Sequence, residues 1–130
     1  MSDGFSIVRI MTTRVISVSP ETTLFDAGKK LATYKFNGVP VVDANNVLVG
    51  IVTEYDIIAH ISGHTGKNNN ALTVGEIMTK NPYTLLQDAT FEEALTLFRD
   101  HQTANPIPVI DNNRHVVGVV SRTDLLKGFE

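Results

Sequence analysis

The 130-residue chain contains no cysteine. This excludes a disulfide framework, a thiolate metal site and a cysteine nucleophile, and it fits a reducing compartment. Long hydrophobic runs are also missing. The longest are strand-sized, too short for a secretory leader or for a membrane span of about 20 residues, so the chain is expected in the cytoplasm without membrane insertion. Positive charge is scarce and scattered. Eleven Lys and Arg stand against 14 Asp and Glu, for a net charge of −3, and offer no broad basic surface to a nucleic-acid backbone, so no nucleic-acid partner is expected. The low hydrophobicity and high charge of disordered chains are absent too, with 42% hydrophobic and 19% charged residues. No nucleophile is paired with a base and no ligand constellation suits a metal, so the chain does not read as an enzyme. Its length is enough to bury roughly two-thirds of the unfolded surface.

One heptad occurs twice. Gly50-Ile51-Val52-Thr53-Glu54-Tyr55-Asp56 returns as Gly118-Val119-Val120-Ser121-Arg122-Thr123-Asp124. In each copy a glycine opens an apolar pair that ends a strand, and a hydroxyl residue three positions before an aspartate starts a helix. Such a junction can simply cap the helix. It can also hold a ligand: the N–H groups of the first turn and the helix dipole favour a phosphate, and the carboxylate suits the vicinal hydroxyls of a ribose.

The rest of the chain repeats in register. Ser6, Met11, Thr12, Thr23, Leu24, Ala27 and Leu31 correspond to Thr73, Met78, Thr79, Thr90, Phe91, Ala94 and Phe98, an offset of 67 positions. Val39-Pro40-Val41, Asp43, Gly50 and Asp56 correspond to Ile107-Pro108-Val109, Asp111, Gly118 and Asp124 at 68. Each copy predicts a short helix capped by Ser6 or Thr73, with Thr73 and Glu76 forming a capping box, and then a strand at Val15 to Val18 or Tyr83 to Leu86. An amphipathic helix follows, capped by Thr23 or Thr90, its apolar residues at i, i+3, i+4 and i+7. A hairpin around Asn45-Asn46 or Asn112-Asn113 leads into the heptad and a last helix. The fold class is α+β: two tandem β-α-β-β-α repeats, residues 1–61 and 73–130, joined by a polar linker, 62–72. Each repeat has a three-stranded sheet with flanking helices, too little to cover itself. The two sheets are therefore expected to bury each other with pseudo-two-fold symmetry, placing the heptads in clefts between the repeats.

These features together resemble a tandem pair of CBS domains, a Bateman module. The resemblance rests on the Met-Thr start of each copy, the strands Val39-Pro40-Val41-Val42-Asp43 and Ile107-Pro108-Val109-Ile110-Asp111, and the two heptads. It implies a non-enzymatic regulatory module, often a flat homodimer, that binds AMP, ADP, ATP, S-adenosylmethionine or NAD and passes a packing change to a partner or attached domain. The alternative is a dimerisation module with no metabolite ligand. Carried over by position, the resemblance assigns Thr53 and Asp56 from the first heptad and Ser121, Arg122, Thr123 and Asp124 from the second. Pocket walls follow at Thr12, Thr13, Gly38, Val39, Lys80, Asn105 and Ile107. Thr123 supplies a hydroxyl before the aspartate where Tyr55 does not, which favours the second heptad. Relatives often carry His or Arg before the second strand, where this chain has Asn37-Gly38 and Asn105-Pro106, so a mononucleotide or an adenosyl compound suits it better than a polyphosphate.

Other features have plainer readings. His60 and His64 are spaced for a metal on a helix face, but Gly63 is expected to end the helix between them. Gly66-Lys67 lacks the spacing and the following hydroxyl of a phosphate loop. Asp26, Glu92 and Glu93 sit at helix starts, where the dipole accounts for them. Gly28, inside a helix, suggests close packing or a bend. Ile57-Ile58 and Leu125-Leu126 on the last helices are candidates for a homodimer face or for the domain's own core.

Overall fold

The computed structural model describes residues 4–61 and 72–130. The features at His64 and Gly66-Lys67, and all of the linker except Leu72, lie outside the described residues. A 3-10 turn, Ile7–Arg9, is followed by α1 (Leu24–Tyr34), β1 (Gly38–Val42), β2 (Leu48–Thr53) and α2 (Glu54–Ile61). Then come α3 (Val74–Ile77), β3 (Thr79–Lys80), β4 (Leu85–Leu86), α4 (Phe91–Asp100), β5 (Ile107–Ile110), β6 (Val116–Val120) and α5 (Arg122–Lys127). The described residues form two three-stranded sheets, ordered β1-β2-β3 and β4-β5-β6.

The chain forms two compact units that cut across the sequence repeats. One comprises residues 16–81, and the other residues 1–15 with 82–130. The opening segment of each repeat therefore belongs with the body of the other. In the unit 16–81, β3 pairs antiparallel with β2, Ile51 opposite Thr79 and Gly50 opposite Lys80. In the other unit the equivalent place is taken by Thr12, bridged to Val119 by two backbone hydrogen bonds of 2.9 Å.

Each unit has its own apolar core. In the unit 16–81, α1 turns Leu24, Ala27 and Leu31 onto Val39, Val41 and Val52. In the other, α4 turns Phe91, Ala94 and Phe98 onto Ile107, Val109 and Val120. These are the stripes that the helical spacing predicts. Thr23 accepts from the Asp26 N–H at 3.1 Å, and Thr90 forms a complete capping box with Glu93.

Several local expectations need correction. The strand at Val15 to Val18 shrinks to one parallel bridge, Val18 to Val41, and its counterpart to the two residues of β4. Thr73 makes no side-chain cap: the N–H of Gly75 is bonded to the Pro20 carbonyl at 2.9 Å, and that of Glu76 to the Thr73 carbonyl, rather than to its hydroxyl, at 3.1 Å. The hairpins are held by their aspartates: Asp43 Oδ1 accepts from Asn45 and Val47, and Asp111 Oδ1 from Asn113 and His115. The left-handed position is Asn46 in one turn and Arg114 in the other, so the second turn does not depend on its asparagines. Gly28 is not held by close packing, since a Cβ there would meet only Ile57 Cγ2, at 3.7 Å.

Candidate functional site

Both heptads form the same junction. In the first, the Thr53 hydroxyl accepts from the Asp56 N–H at 3.2 Å, and Asp56 Oδ2 accepts from the Thr53 N–H at 2.9 Å. In the second, Ser121 and Asp124 exchange the same bonds at 3.1 and 3.0 Å. The reciprocal box fixes where the strand ends and aims the carboxylate back across the junction. The leading glycine has a separate reason. A Cβ at Gly50 would lie 2.6 Å from Met78 Sδ and 2.9 Å from the Thr79 carbonyl oxygen, and one at Gly118 would lie 2.8 Å from Met11 Sδ and 3.0 Å from the Thr12 carbonyl oxygen. The Met-Thr pair of one repeat thus lies over the heptad glycine of the other, and two of the three motifs of the resemblance belong to one packing contact.

The residues assigned from sequence fall into two groups, one in each compact unit. Gly38, Val39, Thr53, Asp56 and Lys80 lie in the unit 16–81. Gly38 pairs with Thr53, and the neighbouring Asn37 carbonyl accepts from the Glu54 N–H at 2.8 Å, tying the start of β1 to the start of α2. Lys80 is exposed on the edge strand opposite Gly50 and makes no ion pair among the described residues. Asp56 is half-buried. Its Oδ2 is bonded to Thr53, and its Oδ1 has no hydrogen bond among the described residues. Tyr55 is 76% exposed beside it, whereas the Val39 side chain is in the core.

Thr12, Thr13, Asn105, Ile107, Ser121, Arg122, Thr123 and Asp124 lie in the other unit. Asn105 Oδ1 accepts from the Arg122 N–H at 3.1 Å, reproducing the Asn37–Glu54 tie through a side chain. Thr13, Arg122 and Thr123 are exposed, and Ile107 is fully buried, its side chain part of the core. Asp124 is only 3% exposed. The Thr12 hydroxyl lies 3.2 Å from each of its oxygens, and Lys127 Nζ lies 2.8 Å from Oδ1. Sequence comparison favours the second heptad, but the freer carboxylate is that of the first.

Lys127, which pairs with Asp124 and so occupies that carboxylate, is a residue that the sequence reading passes over. Its signal was available: it stands three residues after Asp124, within helical reach, where the first repeat has Ala59. His60 Nδ1 lies 2.8 Å from the Asp56 carbonyl oxygen, and among the described residues no group of three or more His, Asp or Glu could hold a metal ion. Among the same residues, no helix is long and apolar enough to cross a membrane.

Comparison with known proteins gives the family and agrees with the fold. The family model described as CBS domain matches residues 7–63 and again 74–130. Inosine-5'-monophosphate dehydrogenase of Methanocaldococcus jannaschii is 35% identical over 113 residues, 87% of this chain but 21% of that enzyme. The chain likewise spans 24% of L-aspartate semialdehyde sulfurtransferase from the same organism, at 29% identity over 99% of its own length. Among solved structures, CBSX2 of Arabidopsis thaliana in complex with AMP is 29% identical, with a TM-score of 0.84 over 97% of this chain and 96% of that one. The CBS domain pair of protein MJ0100, in complex with 5'-methylthioadenosine and S-adenosyl-L-methionine, is 28% identical, with a TM-score of 0.84 and the same coverage.

Proposed function

Because the chain belongs to the CBS-domain family and carries two copies of that domain, we propose that it is a regulatory module sensing an adenosine-based ligand. The observation that carries this reading is the state of Asp56. Its carboxylate is fixed by the Thr53 N–H through one oxygen while the other has no hydrogen bond among the described residues, and Lys80, without an ion pair among those residues, stands on the edge strand of the unit's sheet. A carboxylate so held accepts from the two ribose hydroxyls. The first turn of α2 and the Lys80 ammonium supply positive potential for a single phosphate or a sulfonium-bearing adenosyl group's carboxylate. The ligands of the two structural relatives, AMP on one side and 5'-methylthioadenosine with S-adenosyl-L-methionine on the other, share the adenosine moiety. The ligand class is accordingly AMP or an adenosyl compound, ahead of ADP, ATP or NAD, since Asn37 and Asn105 occupy places where a polyphosphate binder would carry cations.

Ligand binding would shift the packing at the heptads and pass that change to a partner protein or an attached domain, in the cytoplasm. A homodimer would present the change. Ile57 and Leu125 are buried in their own units, but Ile58 in the unit 16–81 is 61% exposed, and Leu126 and Phe129 in the other unit are 64 and 69% exposed, apolar side chains suited to contact with a second copy.

A thermal-shift panel of AMP, ADP, ATP, S-adenosylmethionine, 5'-methylthioadenosine and NAD, with GMP and CMP as controls, tests the ligand class. A ligand at a hundred times its Kd adds about 2.7 kcal/mol, or roughly 8 to 16 °C in Tm for a chain of this size. No shift with any adenosine compound would leave the module without a metabolite and turn the reading to dimerisation alone.

A further inference from the structure

We propose that Asp124 is a latch, held shut by Lys127 and Thr12, and that the protein takes one adenosyl ligand per chain, at Asp56. The inference rests on the ligand-sensing reading above and adds which carboxylate serves it. A carboxylate on a side chain only 5% exposed must have its charge and lone pairs met by the protein. Those of Asp124 are met from three directions: the Ser121 N–H at 3.0 Å, the Thr12 hydroxyl 3.2 Å from both oxygens, and the Lys127 ammonium at 2.8 Å. A carboxylate offers about four acceptor sites, so little capacity remains for a ribose. A ligand would have to displace the Thr12 hydroxyl and separate the Lys127 ion pair.

The contacts of Asp124 also join segments far apart in sequence. Thr12 is already bridged to Val119 on β6 by two backbone hydrogen bonds, and its hydroxyl extends that attachment to α5. Asp124 thereby pins the opening segment of the first repeat to the body of the second. The other unit has the same backbone arrangement without the pin. Thr79 makes no hydrogen bond to Asp56 among the described residues, and Ala59 stands where a lysine would be needed. One residue difference, Lys127 against Ala59, and one difference in contact, the Thr12 hydroxyl bonded where that of Thr79 is not, thus accompany a closed carboxylate in one junction and an open one in the other.

Calorimetric titration with AMP, on the intact chain, supplies one arm of the test. The expected result is one AMP per chain. Asp56→Asn should weaken binding by at least about tenfold, while Asp124→Asn and Lys127→Met keep the wild-type affinity. Two AMP per chain, or a loss in Asp124→Asn as large as in Asp56→Asn, would overturn the assignment. A second arm needs no ligand. In thermal unfolding, Thr12→Val should lower Tm in the wild-type background and do so far less in Asp124→Asn, because the bond it removes is already weakened. Lys127→Met should show the same dependence, and it serves if Asp124→Asn does not fold well enough to measure by being combined with Thr12→Val. Fully additive losses would refute the latch. If no adenosine compound binds at all, the sensing reading and the one-ligand assignment fail together, while the unfolding cycle still decides the latch.

Discussion

Replacing Gly50 with alanine probes the contact on which both repeated motifs depend. The added Cβ would lie 2.6 Å from Met78 Sδ, 3.0 Å from Met78 Cγ and 2.9 Å from the Thr79 carbonyl oxygen. The methionine can rotate away, but the carbonyl belongs to β3, whose place is set by the Ile51–Thr79 and Gly50–Lys80 pairing. Moving it stretches that short ladder, and leaving it keeps a contact well inside van der Waals distance. Overpacking of this kind costs about 1–3 kcal/mol, or roughly 3 to 18 °C in Tm for a domain of this size. Gly118→Ala meets the Thr12 carbonyl oxygen at 3.0 Å and should fall toward the lower end of that range. Differential scanning calorimetry of the two variants supplies the comparison. A Gly50→Ala protein melting at or above the wild-type temperature would show that the Met-Thr segment does not constrain the glycine.

Gly28→Ala should behave oppositely: its Cβ has room within α1, so about 0.5–1 kcal/mol of helix propensity is gained, visible as a higher Tm in the same calorimeter. Asp111 should titrate below its ordinary 3.8, because the backbone N–H of His115, then that of Asn113 and the His115 side chain, favour its charged form against the cost of desolvation. A depressed folded pKa stabilises the hairpin above the unfolded value and loses that stabilisation as the pH falls through the folded one. Carboxyl NMR of the folded protein should therefore show Asp111 titrating at a lower pH than in the unfolded chain. Thr90→Ala removes the capping box of α4 and should cost about 0.5–2 kcal/mol in denaturant unfolding. Leu126→Glu and Phe129→Glu should convert a dimer to a species near the 14.2 kDa chain mass by light scattering; an unchanged mass would place the dimer contact elsewhere.

What was legible in the sequence was local. The stripe Leu24, Ala27, Leu31 and the box Thr90–Glu93 depend on residues a few positions apart, and the repeat supplied each signal twice. The heptad boxes were legible for the same reason. The exchange of opening segments was not, because the bridge from Thr12 to Val119 is a backbone pairing across more than 100 residues and has no side-chain pattern of its own. Met-Thr at the head of each copy was visible as a motif, but its reason, a close approach over Gly50 or Gly118, exists only in three dimensions. The strand at Val15 to Val18 had β-forming residues, yet among the described residues it keeps a single bridge, Val18 to Val41. Among site residues, types and positions were readable while their state was not. Asp56 and Asp124 look equivalent in sequence, with Thr123 tipping the choice toward the second, but Lys127 and Thr12 reverse their accessibility.

The most direct test of the central claim is amide hydrogen exchange of the intact chain with and without saturating AMP. Exchange should slow in the segment from Thr53 to Ile57 and at Lys80, with little change from Ser121 to Leu125. Unchanged exchange in both heptads at a concentration where AMP binds would contradict the assignment of either aspartate to the ligand.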